Sequence, residues 1–167
     1  MYTIEELKQR LSLQPHPEGG YYAETYRSSE RISQLALDTR FSGDRNCSTA
    51  IYFLVPAGTF SAFHRIQADE GWHFYYGSPL RVHMLEEGKG YSYQDIGTDF
   101  GEHQLPQFVV PHGTWFASEP LAKEGFSLVG CTVAPGFDFD DFEMGKAEDL
   151  SLLFPKHAKL VDRLTRM

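Results

Sequence analysis

Between residues 48 and 133 the apolar and aromatic positions occur in short runs, which turn-forming residues interrupt about every ten positions. The interruptions are rich in proline and glycine, as at Pro56–Gly58, Gly77–Pro79 and Pro111–Gly113. Many short strands at this spacing are typical of a sandwich or barrel, and no helix-length segment intervenes to form βαβ units. The predicted strands are Ser48–Val55, Thr59–Ile66, Trp72–Tyr76, Leu80–Leu85, Gly90–Ile96, Gln107–Val110, Thr114–Ala117 and Phe126–Val133.

The N-terminal segment predicts one short helix and then a loop. Thr3 and Glu6 have the spacing of a capping box, and residues 3–12 carry apolar side chains at helical intervals, at Ile4, Leu7 and Leu11. The segment Gln14–Gly20 cannot continue this helix because of its prolines, and its two glycines can adopt positive φ. It leads into a strand-like alternation over Tyr21–Tyr26.

The C-terminal segment changes from strand to helix periodicity. Glu148–Phe154 and Lys156–Arg166 are predicted to form two short helices separated at Pro155. Upstream of them, the acidic and aromatic run Asp138–Glu143 lacks the ligand spacing of a calcium loop. We expect it to be a solvated loop whose phenylalanines dock on the barrel.

Length and composition indicate one folded domain over residues 1–167, with a barrel core at about 21–143. Aromatic residues make up 14% of the chain, which suits strands better than a disordered chain. Because the net charge is −8 and the basic residues are scattered, nucleic acid and membrane are poor partners. The N-terminus has no signal-peptide pattern, so we expect a cytoplasmic protein in which Cys47 and Cys131 are reduced, buried structural residues.

The candidate chemistry lies between Gly58 and Gly77. His64 and Glu70 stand on neighbouring predicted strands joined by a tight turn, so their side chains can converge inside a barrel. There the two groups could satisfy each other without a metal and form an acid/base pair or a polar anchor. A hydrogen-bonded pair that only orders the barrel is the alternative.

This window resembles the first motif of the cupin superfamily, in which a glycine, two histidines, a glutamate and a second glycine recur at fixed intervals. Gly58, His64, Glu70 and Gly77 match that motif, but Ile66 stands at the second histidine position. In the second cupin motif Pro111 and Gly113 match, whereas the histidine and asparagine positions hold Phe116 and Pro120, and Leu105 stands at the leading glycine position. The resemblance implies a jelly-roll barrel in which two of the four usual metal ligands are apolar, so no cofactor is predicted.

Four sequence segments, spread over nearly the whole chain, are similar to the small, largely uncharacterised type-5 cupin family of bacteria and fungi. They are Pro15–Ser28, Ser61–Ile66, Asp69–Tyr75 and Gly130–Glu143. The resemblance implies a mainly β protein, an antiparallel double-stranded β-helix (the cupin jelly-roll barrel) with a short N-terminal helix and C-terminal helices. It also implies a ligand pocket and a homodimer, but no catalytic residue list.

His73 could replace a lost metal ligand and complete a set with His64 and Glu70. Residues three apart on one strand point to opposite faces unless a bulge intervenes, and Gly71 is the position where a bulge could occur. A divalent metal held by these three side chains therefore stays an open alternative, as does an outward-facing His73.

We expect a small-molecule-binding cupin that takes a sugar-like or other small polar metabolite. His64 and Glu70 would be polar anchors, and the remaining predicted ligand contacts are His73, Trp72, Tyr76, Phe116, Glu24 and Tyr22. Whether the protein is an enzyme stays open. A metal-independent isomerase or epimerase would use His64 as general base with Tyr22 or Tyr76 as proton donor, and a metal-dependent enzyme is a further alternative.

The segment from Glu18 to Tyr26 supports the epimerase alternative, because it is similar to the opening strand of the nucleotide-sugar 3,5-epimerases. Those proteins are metal-free cupins that use a histidine base and a tyrosine acid. The same segment could instead cover the barrel mouth or cross a dimer interface.

Overall fold

The computed structural model describes residues 2–166. The α-helices are α1 Ile4–Arg10, α2 Ala147–Leu153 and α3 Ala158–Arg163. The strands are β1 Gln14–Pro15, β2 Tyr21–Arg27, β3 Arg31–Ile32, β4 Arg45–Asn46, β5 Thr49–Pro56, β6 Ser61–Arg65, β7 Asp69–Gly77, β8 Leu80–Glu86, β9 Gly90–Ile96, β10 Gln107–Val110, β11 Trp115–Pro120, β12 Phe126–Ala134 and β13 Glu143–Met144.

Two antiparallel sheets form the body of the fold. The larger sheet has the order β1-β2-β5-β12-β7-β10, the smaller has the order β13-β6-β11-β8-β9, and β3 and β4 make a short separate ribbon. One apolar core joins the inner faces of both larger sheets, with Phe53 and Trp72 on one side and Val82 and Phe116 on the other. The predicted mainly β cupin jelly roll, with short helices at each end, is therefore confirmed.

The strand positions follow the alternation of apolar side chains. On β7, Trp72 and Phe74 pack into the shared core, and the pairing of β7 with β12 stays regular from Asp69 to Phe74. The register shifts only beyond Phe74, so Gly71 does not form the bulge that would have turned His73 inward.

Helix α1 has the predicted capping box. The Glu6 amide donates to Oγ1 of Thr3 over 3.2 Å, and the Thr3 amide donates to Oε2 of Glu6 over 2.8 Å. The helix ends at Arg10, two residues before the predicted limit, and buries Leu7 against the outer side of the larger sheet.

The C-terminal helices pack on the outer face of the smaller sheet. Leu150 and Phe154 of the first helical segment, with Val161 and Leu164 of the second, cover Phe63 and its apolar neighbours. The second helix is shorter than predicted because Pro155–His157 forms a 3₁₀ turn before α3 begins. No helix within residues 2–166 is both long enough and apolar enough to cross a membrane.

The end of the chain reaches back to the loop before β2. The Phe63 amide donates to the Leu164 carbonyl over 2.7 Å, which fixes the chain after α3 beside β6. From there the Arg166 side chain donates to the carbonyl oxygens of Glu18 and Phe60 over 2.9 and 3.0 Å. These contacts place the loop containing Glu18 against the start of β6.

Candidate functional site

A cavity of about 290 Å³ opens between the inner face of the larger sheet, the end of β6 and two loops. β5 contributes Thr49, Ile51 and Phe53 to its wall, because alternate residues of a strand face the same side. The loop before β2 and the segment after β12 close its remaining sides. The cavity therefore depends on segments that are far apart in the chain.

His64 forms a buried ion pair with Glu18. Its Nε2 atom lies 2.9 Å from Oε2 of Glu18, and its Nδ1 atom lies 2.7 Å from the Ala62 carbonyl oxygen. Ser61 donates its hydroxyl to the other Glu18 oxygen over 2.8 Å. Because both ring nitrogens face acceptors, His64 is held as the doubly protonated imidazolium.

The two partners shift each other's pKa in opposite directions. Burial acts to lower the pKa of His64, but the charge and hydrogen bond of Glu18 outweigh it and raise that pKa above its ordinary value. Burial acts to raise the pKa of Glu18, but the His64 charge and hydrogen bond outweigh it and lower that pKa. The pair is therefore ionised near neutral pH.

This pairing differs from the prediction that His64 and Glu70 satisfy each other. Both side chains line the cavity, but the hydrogen-bonding partner of His64 is Glu18. Glu18 takes that place because its loop is fixed against β6, where the Ala62 amide donates to the Glu18 carbonyl over 2.8 Å.

Glu70 is a second buried carboxyl, and unlike Glu18 it has no ion-pair partner among the described residues. It is 8% exposed, and among residues 2–166 no basic side chain forms an ion pair with it. Burial and the nearby Glu18 charge raise the pKa of Glu70 to about 7, although His64 and a hydrogen bond with the Cys131 thiol act to lower it. The cavity thus holds one carboxylate that stays ionised and one carboxyl that exchanges its proton near neutral pH.

His16 and Cys131 complete the polar part of the wall. The Glu18 amide donates to Nδ1 of His16 over 3.3 Å, which places the ring proton on Nε2. Burial lowers the pKa of His16 despite the opposing Glu18 charge, so this ring is neutral at neutral pH. Burial also raises the pKa of the Cys131 thiol well above its ordinary value, and the Glu70 charge adds to that shift.

An aromatic segment covers one side of the cavity. Phe137, Phe139 and Phe142 line it, and their ring centroids lie 5.0 to 6.2 Å apart in edge-to-face geometry. The expectation of a solvated loop with docked phenylalanines needs correction at Asp141, which is buried and accepts two hydrogen bonds from Arg45 over 2.6 and 2.7 Å. That ion pair fixes the segment in place.

The cavity mouth carries a second ion pair. Arg27 donates to both carboxylate oxygens of Glu24 over 2.9 and 2.8 Å, and also to the Phe137 carbonyl oxygen over 3.0 Å. Of the predicted site residues, Tyr22, Glu24, His64 and Glu70 thus line the cavity.

Four predicted contact residues lie outside the cavity wall. His73 faces the outer side of the larger sheet, where its Nε2 atom lies 2.9 Å from Oγ1 of Thr132. Trp72 is buried in the shared core, and Phe116 packs beneath His64 with ring centroids 4.1 Å apart. Tyr76 lies against Phe126 and is 40% exposed. None of these four residues lines the cavity.

Sequence reasoning did not single out His16 or Cys131, and it considered Glu18 only within a strand similarity. The prolines and glycines of Gln14–Gly20 predicted a loop that contains His16 and Glu18, and this was the one signal in the sequence for these two residues. No local pattern shows that this loop packs against β6, since that contact joins residues more than forty positions apart.

The side chains do not fit the metal site implied by the cupin resemblance. Ile66 and Phe116 supply hydrocarbon at two ligand positions, His64 is directed at Glu18, and His73 faces outward. Across residues 2–166 no three His, Cys, Asp or Glu side chains are grouped as metal ligands would be. We therefore assign no step to a metal.

Comparison with known proteins supports the same fold. A family model described as Cupin superfamily (DUF985) matches residues 5–145. A crystal structure of a protein from Shewanella oneidensis has 39% identity and a TM-score of 0.88, with 99% of each chain covered. A hypothetical protein from Leishmania major has 32% identity and a TM-score of 0.88, with 99% of this chain and 100% of that chain covered.

A more distant similarity concerns the fold alone. A variant of oxalate decarboxylase from Bacillus subtilis has 17% identity and a TM-score of 0.52, over 90% of this chain and 36% of the other. No curated protein gives a significant match. Because the family model spans most of the sequence and two structures above 30% identity cover nearly all of it, this chain belongs to the cupin superfamily, in the family described as DUF985.

Proposed function

We propose that this protein binds a small polar metabolite inside its barrel, beside Glu70. The observation that carries the proposal is the cavity of about 290 Å³, whose mostly apolar wall contains a buried carboxyl and a buried imidazolium–carboxylate pair. A few oriented polar groups in an apolar hollow are typical of small-molecule sites. The volume suits a compound of about monosaccharide size, which agrees with the sugar-like ligand expected from the sequence.

Ligand-observed NMR with mixtures of small metabolites tests this proposal. Ile51→Phe places a larger side chain in the cavity wall, while Leu35→Phe makes a similar change at a fully exposed position. We expect compounds that bind the wild type and Leu35→Phe but bind Ile51→Phe at least about tenfold more weakly. If no compound binds, or if binding to all three proteins is equal, the proposal is wrong; thermal melting verifies that each variant is folded.

A second candidate function is a metal-independent isomerase or epimerase. The observation that favours it is the pair of carboxyls with opposite pKa shifts, because a group that titrates near pH 7 can both accept and donate a proton. The geometry favours Glu70 over His64 as the general base, since both ring nitrogens of His64 already face acceptors. Tyr22 lines the same cavity and is the candidate proton donor.

Hydrogen exchange in deuterated water tests this second function. Sugars and other α-hydroxycarbonyl compounds are incubated with the protein in D₂O, and carbon-bound deuterium is measured by mass spectrometry. We expect Glu70→Gln to lower the exchange rate at least about 100-fold, and the exposed control Glu124→Gln to leave it unchanged. Exchange that persists in Glu70→Gln would assign the base to another residue.

A homodimer located in the cytoplasm is also part of this proposal. The homodimer rests on the resemblance to the type-5 cupins, and the cytoplasm rests on the low cysteine count, Cys47 and Cys131, which suits a reducing compartment. Light scattering coupled to size-exclusion chromatography tests the dimer, which would give twice the chain mass of 19.0 kDa.

A further inference from the structure

The cations around the cavity are already paired with protein groups. Arg27 uses its guanidinium for Glu24 and for the Phe137 carbonyl, and His64 directs both ring nitrogens at protein acceptors. His16 is neutral because burial lowers its pKa. A ligand phosphate or carboxylate would thus find no free positive charge in this wall.

Of the two buried carboxyl groups in the cavity wall, only one is paired with a cation from residues 2–166. Glu18 is neutralised by His64, and Ser61 takes its second oxygen. Glu70 is more than nine-tenths buried and lines the cavity together with Cys131. When Glu70 ionises, the cavity gains a negative charge, and the cation that acts on it, His64, is already paired with Glu18.

The aromatic segment adds a surface that attracts cations. The rings of Phe137, Phe139 and Phe142 line the wall across from the larger sheet, and Tyr22 lies on β2 of that sheet. Aromatic faces carry partial negative charge and favour alkylammonium groups in sites shielded from water. Such rings do not favour a carboxylate or a phosphate.

We propose that the cavity takes a small organic cation, an amine or quaternary ammonium compound, whose charge lies beside Glu70 and whose alkyl groups contact the phenylalanine rings. This inference rests on the proposed small-molecule site and names its ligand class. An anionic ligand such as a sugar phosphate would instead bring a second negative charge beside Glu70.

Three compounds of similar size and different charge test the inference. Choline is the cation, 3,3-dimethylbutan-1-ol is the neutral compound with carbon in place of nitrogen, and 3,3-dimethylbutanoate is the anion. Their dissociation constants are measured by protein-observed NMR titration. We expect choline to bind at least about tenfold more tightly than the alcohol, and the anion to bind more weakly than both.

Two variants and a control locate the effect. Glu70→Gln keeps the size of the side chain and removes its charge, and Phe139→Leu removes one aromatic face at a half-exposed position. We expect each to reduce choline affinity about tenfold while changing alcohol affinity less than about twofold. Glu124→Gln removes the same charge from an exposed loop and should change neither.

Each outcome decides the inference. Equal binding of choline and the alcohol, tighter binding of the anion, or a choline preference that survives Glu70→Gln would overturn it. Failure of all three compounds to bind would also overturn it. The metabolite screen with Ile51→Phe tests the cavity without regard to charge. If metabolites bind the cavity in that screen but choline is not preferred over the alcohol, the inferred ligand class is wrong and the proposed site still holds.

Discussion

The imidazole of His64 and the carboxylate of Glu18 lie 2.9 Å apart, although forty-five residues separate them in the chain and both are buried. The loop carrying Glu18 reaches His64 because Ser61, Ala62 and Arg166 bind that loop to the start of β6. His64 stands at a histidine position of the first cupin motif, where the resemblance implies a metal ligand, and here its partner is Glu18.

We predict that Glu18→Ala lowers the free energy of unfolding by about 3–5 kcal/mol, because it leaves the buried His64 charge without a partner. Glu18→Gln should cost less, since it retains hydrogen bonding. Chemical denaturation measures both. A loss below about 1 kcal/mol in Glu18→Ala would contradict the buried pair.

The stabilisation by this pair should depend on pH in a defined window. The pKa of Glu18 is lowered, so its contribution is present above the ordinary value of 4.5 and is lost as pH falls through the folded-state pKa. The pKa of His64 is raised, so its contribution is present below 6.5 and is lost as pH rises through the folded-state pKa. The wild type should therefore exceed Glu18→Gln in stability most between pH 4.5 and 6.5.

Glu70→Gln should show the opposite sign over an overlapping range, between about pH 4.5 and pH 7. The pKa of Glu70 is raised from 4.5 to about 7, so the folded state binds more protons than the unfolded state between these values and stability falls as pH rises. Relative to the wild type, Glu70→Gln should gain about 3 kcal/mol between pH 4 and pH 8 and then stay level. Denaturation curves at matched pH values measure this gain, and a difference that does not change with pH would show that Glu70 keeps its ordinary pKa.

The Arg45–Asp141 ion pair should stabilise the aromatic segment of the cavity. Asp141→Ala leaves Arg45 buried without its partner and should cost about 3–5 kcal/mol. The exposed Arg65–Glu143 pair provides the control, because Glu143→Ala should cost less than about 1 kcal/mol. Amide hydrogen exchange should also rise in residues 137–142 of Asp141→Ala, and unchanged protection there would contradict this role.

Gly19 should tolerate no side chain. Its φ is +112°, and an added Cβ would collide with the Arg166 guanidinium and the Phe60 carbonyl oxygen. Gly19→Ala should therefore displace the Glu18 loop and cost about 1–3 kcal/mol more than Gly58→Ala. Gly58 has a similar positive φ of +77° but no neighbour within 4 Å, so its substitution reports the backbone strain alone. Equal costs in the two variants would show that the contacts around Gly19 are not restrictive.

Much of the fold was predictable from local patterns. Gly90–Ile96 and Gln107–Val110 form strands at their predicted limits, and the capping box at Thr3 and Glu6 is present. The alternation of apolar and polar side chains and the residue preferences of turns depend on near neighbours, so short stretches of sequence are enough to predict them. The predicted start of the second C-terminal helix was wrong for a local reason, because Pro155 begins a 3₁₀ turn before α3.

The site was predictable only in part. The motif spacing placed His64 and Glu70 in one cavity, and strand parity correctly weighed against an inward His73. The aromatic contacts were placed less well, because hydrophobicity does not distinguish Trp72 and Phe116 in the core from Phe139 and Phe142 at the cavity.

Residue identity and short-range periodicity were enough to predict the strands, the cupin motif and the loss of two metal-ligand positions. Local patterns do not show which carboxylate pairs with His64, which carboxyl has no ion-pair partner among the described residues, or which phenylalanines cover the cavity. Those outcomes depend on how distant loops pack against β6 and β12, and the free energy of burying a charge is fixed only when its neighbours are in place.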